Sequence, residues 1–101
     1  MRLKSAKHLR LIRQLSCLAC LRTPCGEAAH VRHLTGMGIK PDDRWSVPLC
    51  HHCHMRQHRR SQKAFWDALD LNPDEIAEEL YARSPNLDDM RRVLTRYLKP
   101  R

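Results

Sequence analysis

No apolar run in this sequence is long enough for a membrane span or for the core of a secretory signal, since Arg2, Lys4, Lys7, Arg10 and Arg13 interrupt each one near the start. An acid-free, Arg-rich opening also has the look of an organelle transit peptide, but the same residues read better as a basic helix of the mature protein. The expected setting is therefore the reducing cytoplasm, where thiols stay free to bind metal. Acid is scarce as well: the first is Glu27, whereas Asp and Glu crowd into residues 67 to 89. Large rings are few, with one Phe, two Tyr and two Trp, and neither an internal repeat nor a low-complexity stretch is present. The cysteines number five, an odd count that suits a disulfide framework poorly.

A chain of 101 residues is one small domain, close to the size at which a hydrophobic core alone leaves a thin margin of stability, so a staple is expected. The excess of 19 Lys and Arg over 11 Asp and Glu gives a net charge of +8, a field that attracts polyanions and makes nucleic acid the default partner.

Leu3, Ala6, Leu9, Ile12 and Leu15 recur every third residue, which predicts an amphipathic helix over 2–15 with a basic outer face. From Cys17 to Cys53 the chain is punctuated by Pro24, Gly26, Gly36, Gly38, Pro41 and Pro48, leaving room for short strands near 27–33 and 44–49 joined as a hairpin with a wide loop. Punctuation then stops, and residues 51–60 read as a helix that starts on a cysteine pair. Ser61 is placed to cap a helix holding Phe65, Trp66 and Leu69. Asn72-Pro73-Asp74-Glu75 opens another helix, and Ser84-Pro85 with Asp88 and Asp89 a last one. The expected organisation is a basic N-terminal helix over 1–16, a metal-stapled core over 17–62 and a helical extension over 63–101 that packs on it.

The stretch LCHHCHMRQH, residues 49–58, puts two cysteines and four histidines into ten positions. Cys17-x-x-Cys20 and Cys50-x-x-Cys53, separated by twenty-nine residues, are two knuckles able to supply four thiolates to one tetrahedral Zn2+. A closed four-cysteine site has no open position for substrate, so its expected role is to fold the domain. Cys25 is left over, as a small buried thiol or as a substitute for one of the four.

His54 follows the second knuckle directly and His58 comes four residues later, so on a helix the two imidazoles stand one above the other and can meet one cation. His30 lies on the expected first strand and could converge with them. Ala28-Ala29-His30-Val31-Arg32 together with Cys50-x-x-Cys53-His54 resembles the HNH endonucleases, in which a strand pair and a helix wrap a catalytic metal beside zinc knuckles. The His54-x3-His58 pair is similar to the metal helix of colicin-type nuclease domains. Gly38-Ile39-Lys40-Pro41-Asp42-Asp43-Arg44-Trp45, Pro48-Leu49-Cys50, Gln57-His58 and Phe65-Trp66 extend the likeness to short phage and prophage HNH proteins of the recombination-enhancement type, over residues 17–81.

The resemblance implies an α+β fold: a small treble-clef-like ββα-metal core with a four-Cys structural zinc site, flanked by N- and C-terminal helices. It implies a metal-dependent endonuclease hydrolysing DNA phosphodiester bonds, with His30 as general base and a second divalent ion, Mg2+, Mn2+, Ni2+ or Zn2+, held by His54 and His58. Asp43 takes the place of the family's middle polar residue, fixing the His30 tautomer or ligating the metal. Arg32, His33, Arg44, Arg56, Arg59, Arg60 and Lys63 surround the motif and are expected to hold the nucleic-acid backbone without reading bases. His51 and His52 are left without a role. Ala29 stands where many members have another donor, which keeps open an alternative: a catalytically inactive, zinc-stabilised nucleic-acid-binding module or adaptor. RNA as substrate, an accessory protein that presents it, and self-association through Leu87, Met90, Leu94 and Leu98 are also left open.

Overall fold

The computed structural model describes residues 5–31, 42–59 and 61–98. Arg32, His33, Gly36, Gly38 and Arg60 lie outside the described residues. The element order is α1 (Ala6–Arg13), β1 (Gly26–His30), β2 (Ser46–Cys50), α2 (His51–Arg59), α3 (Gln62–Leu69), α4 (Pro73–Arg83) and α5 (Leu87–Thr95), an α+β arrangement. Helix α1 begins at Ser5, whose side chain accepts from the His8 amide at 3.2 Å, and ends on Arg10 and Arg13, cations that suit the negative end of its dipole. His8 and Ile12, four apart, are its buried residues, and Lys7, Arg10 and Arg13 line the exposed side.

The two strands pair antiparallel, with Gly26 opposite Cys50, Glu27 opposite Leu49, Ala29 opposite Val47 and His30 opposite Ser46. Gly26 opens β1 at φ +88°, a left-handed conformation that side-chain-bearing residues rarely adopt. All five residues of β2 are buried, because α1, α2 and α4 pack on it as well as β1. Among the described residues one apolar cluster forms the core, with Ile12, Leu18, Leu49, Ile76, Leu80 and Met90 fully buried in it.

Ser61 caps α3 by accepting from the Ala64 amide, and Asn72 caps α4 by accepting from Asp74 and Glu75. The opening of α5 differs from expectation. Asn86 is its cap, accepting from Asp89, while Ser84 ends α4 and its hydroxyl lies 2.9 Å from His8 Nδ1. Among the described residues no helix is long and apolar enough to cross a membrane.

Candidate metal centres

The Cys17–Cys20 turn is brought to the end of β2 by a hydrogen bond from the Leu18 amide to the Pro48 carbonyl, 3.1 Å. The sulfur atoms of Cys17, Cys20, Cys50 and Cys53 then all lie within 4.8 Å of one another, and Cys20 Sγ is 3.6 Å from Cys50 Sγ. A tetrahedron with about 2.3 Å metal–sulfur bonds has edges of about 3.8 Å, so the four sulfurs fit one ion. The amides of Ala19 and Cys20 also point at Cys17 Sγ, 3.4 and 3.5 Å away, where they would stabilise thiolate charge. Burial pulls the Cys50 thiol upward, but hydrogen bonds from the Cys53 amide and from the neighbouring thiols outweigh it and hold the pKa down to about 7. Burial pushes Cys53 strongly the other way. Among the described residues this is the one group of three or more donors able to hold a metal. Cys25 is outside it: its buried thiol donates to the carbonyls of Glu27 and Ile12 at 3.2 and 3.4 Å, and burial raises its pKa to about 11.

Helix α2 leaves β2 without an intervening loop, so Cys50 closes the strand and His51 opens the helix. His51, His54 and His58 are spaced three and four apart and share one face of it. The rings of His54 and His58 are tilted by 34° with centroids 4.8 Å apart, and their Nε2 atoms approach to 3.2 Å. Two nitrogens at that separation, each at about 2.05 Å from a common ion, subtend an angle of about 100° there, between the octahedral and tetrahedral values. Fit is therefore good for a half-site. On its other edge His54 meets Glu27, Nδ1 to Oε1 at 2.8 Å, and the second oxygen of Glu27 meets His51 Nδ1 at 2.7 Å. The hydrogen bond from His54, with the two nearby imidazoles, holds the Glu27 carboxyl below its usual range. Glu27 is the residue that sequence reasoning left unassigned. Its signal was modest: the first acid of a basic chain, three positions before His30.

His30 and Asp43 form a separate pair. His30 Nε2 lies 2.8 Å from Asp43 Oδ1, and Asp43 Oδ2 accepts from the Ser5 amide at 2.7 Å, at the start of α1. Asp43 is 5% exposed, whereas the His30 side chain keeps 31% of its surface. Alternation along β1 sends Glu27 and His30 to opposite faces. Among the described residues, no hydrogen bond, ion pair or ring contact joins His30 to His54 or His58. Ala29, between them, is fully buried.

The expected backbone contacts divide. Arg56 and Arg59 are exposed on α2, beside exposed His52 and the 40%-exposed Met55. Lys63 is paired with Asp67 at 2.6 Å, and Arg44 is half-buried with its guanidinium 5.0 Å from the Trp45 ring and 5.2 Å from the Tyr81 ring. Stacking, not extension into solvent, places Arg44.

No curated protein and no solved structure matches the chain. A family described as a protein of unknown function, DUF968, matches residues 1–78, and the chain belongs to that family.

Proposed function

We propose that the protein is a metal-dependent HNH-type endonuclease that hydrolyses DNA phosphodiester bonds, built on a treble-clef-like ββα-metal core stapled by zinc at Cys17, Cys20, Cys50 and Cys53. The observation that carries this reading is the His54–His58 half-site, with Nε2 atoms 3.2 Å apart, set on the helix that carries Cys53 of the four-cysteine group. His54 and His58 would hold a second divalent ion there, which would supply Lewis-acid charge for phosphodiester hydrolysis. Two imidazoles suit Zn2+, Ni2+, Co2+ or Mn2+ better than Mg2+.

His30 is the general base in this reading, which requires its free Nδ1 edge to reach, from the other face of β1, a water beside the His54–His58 ion. Donation of its Nε2 proton to Asp43 leaves a lone pair on Nδ1, which takes the proton of the attacking water. Asp43, anchored by the Ser5 amide, keeps that tautomer. Arg56 and Arg59, with Arg32, His33 and Arg60 from outside the described residues, bind phosphates. Charge distribution supports a polyanionic partner: thirteen Lys and Arg against three acids precede residue 67, and six against eight stand from residue 67 onward. The setting that matches such a substrate and free thiols is the cytoplasm.

Buried Ala29 and the lack of a contact between His30 and the His54–His58 pair favour a second reading, a zinc-stabilised nucleic-acid-binding module without cleavage. Zinc-loaded protein incubated with plasmid DNA, and in parallel with RNA, under a panel of divalent ions separates the two. Nicking that disappears in His30→Ala and His54→Ala, with fold and zinc content preserved, supports the nuclease. Binding without nicking under every ion supports the module.

A further inference from the structure

We propose that Glu27 is a positioning residue of the histidine site: its carboxylate fixes both His51 and His54 in the Nδ1–H tautomer and so aims the Nε2 lone pair of His54 at the ion. The inference rests on the reading of His54 and His58 as ligands. An ionised carboxylate only accepts hydrogen bonds, so both imidazoles that meet it, at 2.7 and 2.8 Å, must donate from Nδ1. In the neutral imidazole the opposite nitrogen, Nε2, then carries no proton. In His54 that nitrogen faces His58 Nε2 at 3.2 Å, where His58 donates and His54 accepts. His54 and His58 would hold an ion through these nitrogens once the Nε2 proton of His58 has passed to its own Nδ1, and His54 would need no rearrangement.

Two features show why a carboxylate stands at this point. Helix α2 has no acid in its first turn and follows β2 directly, so Glu27 supplies from the neighbouring strand the negative charge that favours a helix N-terminus. Register does the rest: Glu27 is opposite Leu49, two residues before His51, which keeps its side chain within reach of the first helical turn. The arrangement of a carboxylate behind an imidazole behind an ion also raises the basicity of the ligating nitrogen. His51 thereby gains a role that its spacing alone did not give it, as the second arm of the clamp.

The test begins with the wild-type, zinc-loaded full chain and no second ion, using long-range 1H–15N correlation spectra of the imidazoles. The expected result is Nδ1–H for His51 and His54, and an Nε2–H form of His54 would overturn the proposal. Titration with Ni2+ or Co2+ then compares wild type with Glu27→Gln, whose amide can accept from only one imidazole. Affinity for the second ion is expected to fall about 10- to 100-fold, with zinc content and circular dichroism unchanged. An unchanged affinity overturns the clamp. Failure of the wild type to take up any second ion would remove the ligand reading itself, and the tautomers would still decide the role of Glu27 without any variant.

Discussion

Asp43→Asn is the substitution that separates the chemistry of the His30 pair from its packing. In the wild type the two carboxylate oxygens each receive one N–H, from His30 Nε2 at 2.8 Å and from Ser5 at 2.7 Å, in a site where Asp43 is only 5% exposed. Asn keeps the shape but offers one acceptor and one donor. Turning the amide nitrogen toward Ser5 would oppose two donors in a buried place, at a cost of about 1–3 kcal/mol beyond the lost bond. Turning it toward His30 avoids that cost, because the ring can switch tautomer and accept at Nε2. The second arrangement should win. What remains is the difference between a charged and a neutral acceptor at two bonds, about 1–2 kcal/mol. At about 4–8 °C per kcal/mol for a domain of this size, the melting temperature should drop by about 5–15 °C. The expected activity cost is of another order: the Nδ1 lone pair of His30 becomes N–H, and the proposed base is lost. Single-turnover nicking of plasmid DNA at a temperature where the variant is fully folded should slow by about 10^2- to 10^4-fold. A folded Asp43→Asn protein that nicks within threefold of the wild-type rate would refute the assignment of His30 and Asp43.

Removing metal from the four cysteines should unfold the protein, since apparent zinc-binding energies of about 10–16 kcal/mol match or exceed the whole stability of a small domain, about 5–15 kcal/mol. Loss of helical circular dichroism on chelation, restored by one equivalent of Zn2+, is the expected result, and a chelated chain that still melts cooperatively would contradict it. His8 predicts a pH effect: burial pulls its pKa below 6.5 although Asp43 nearby opposes, so the unfolded chain takes up the proton first as the pH falls. Stability should therefore decline as the pH drops from 6.5 toward the lower folded pKa, and denaturant midpoints of His8→Gln should depend on pH less steeply than those of the wild type over that interval. On α1, Lys7, Arg10 and Arg13 are exposed and unaccompanied by any acid. If they lie on the DNA backbone, replacing all three by Gln should flatten the plot of log affinity against log salt by about 0.9 per charge, without altering the ion requirement for nicking.

What could be read from the sequence was what depends on neighbours along the chain. The cysteine pairs, the i, i+4 spacing of His54 and His58, and the caps at Ser61 and Asn72 are set within four residues, and each is where the spacing put it. The two short strands followed from the punctuation between Cys17 and Cys53. Long-range partners were hidden. Ser84 looked like a cap, but its hydroxyl is beside His8, 76 positions away. The clamp on His51 and His54 depends on strand register, and the Ser5 amide reaches Asp43 across 38 positions, a distance over which no periodicity speaks. Arg44 carries the same lesson, because the ring of Tyr81 that holds it belongs to α4.

The direct passage from β2 into α2 has a mechanical corollary. With no slack between strand and helix, Cys50, His51, Cys53 and His54 ride on one rigid shaft. Any change that opens the sulfur cage would rotate that shaft and swing the imidazoles out of line. The two centres should then fill in a fixed sequence, sulfur first and nitrogen second, and a chain starved of zinc would lose the proposed nuclease chemistry before an ion ever reached the histidines.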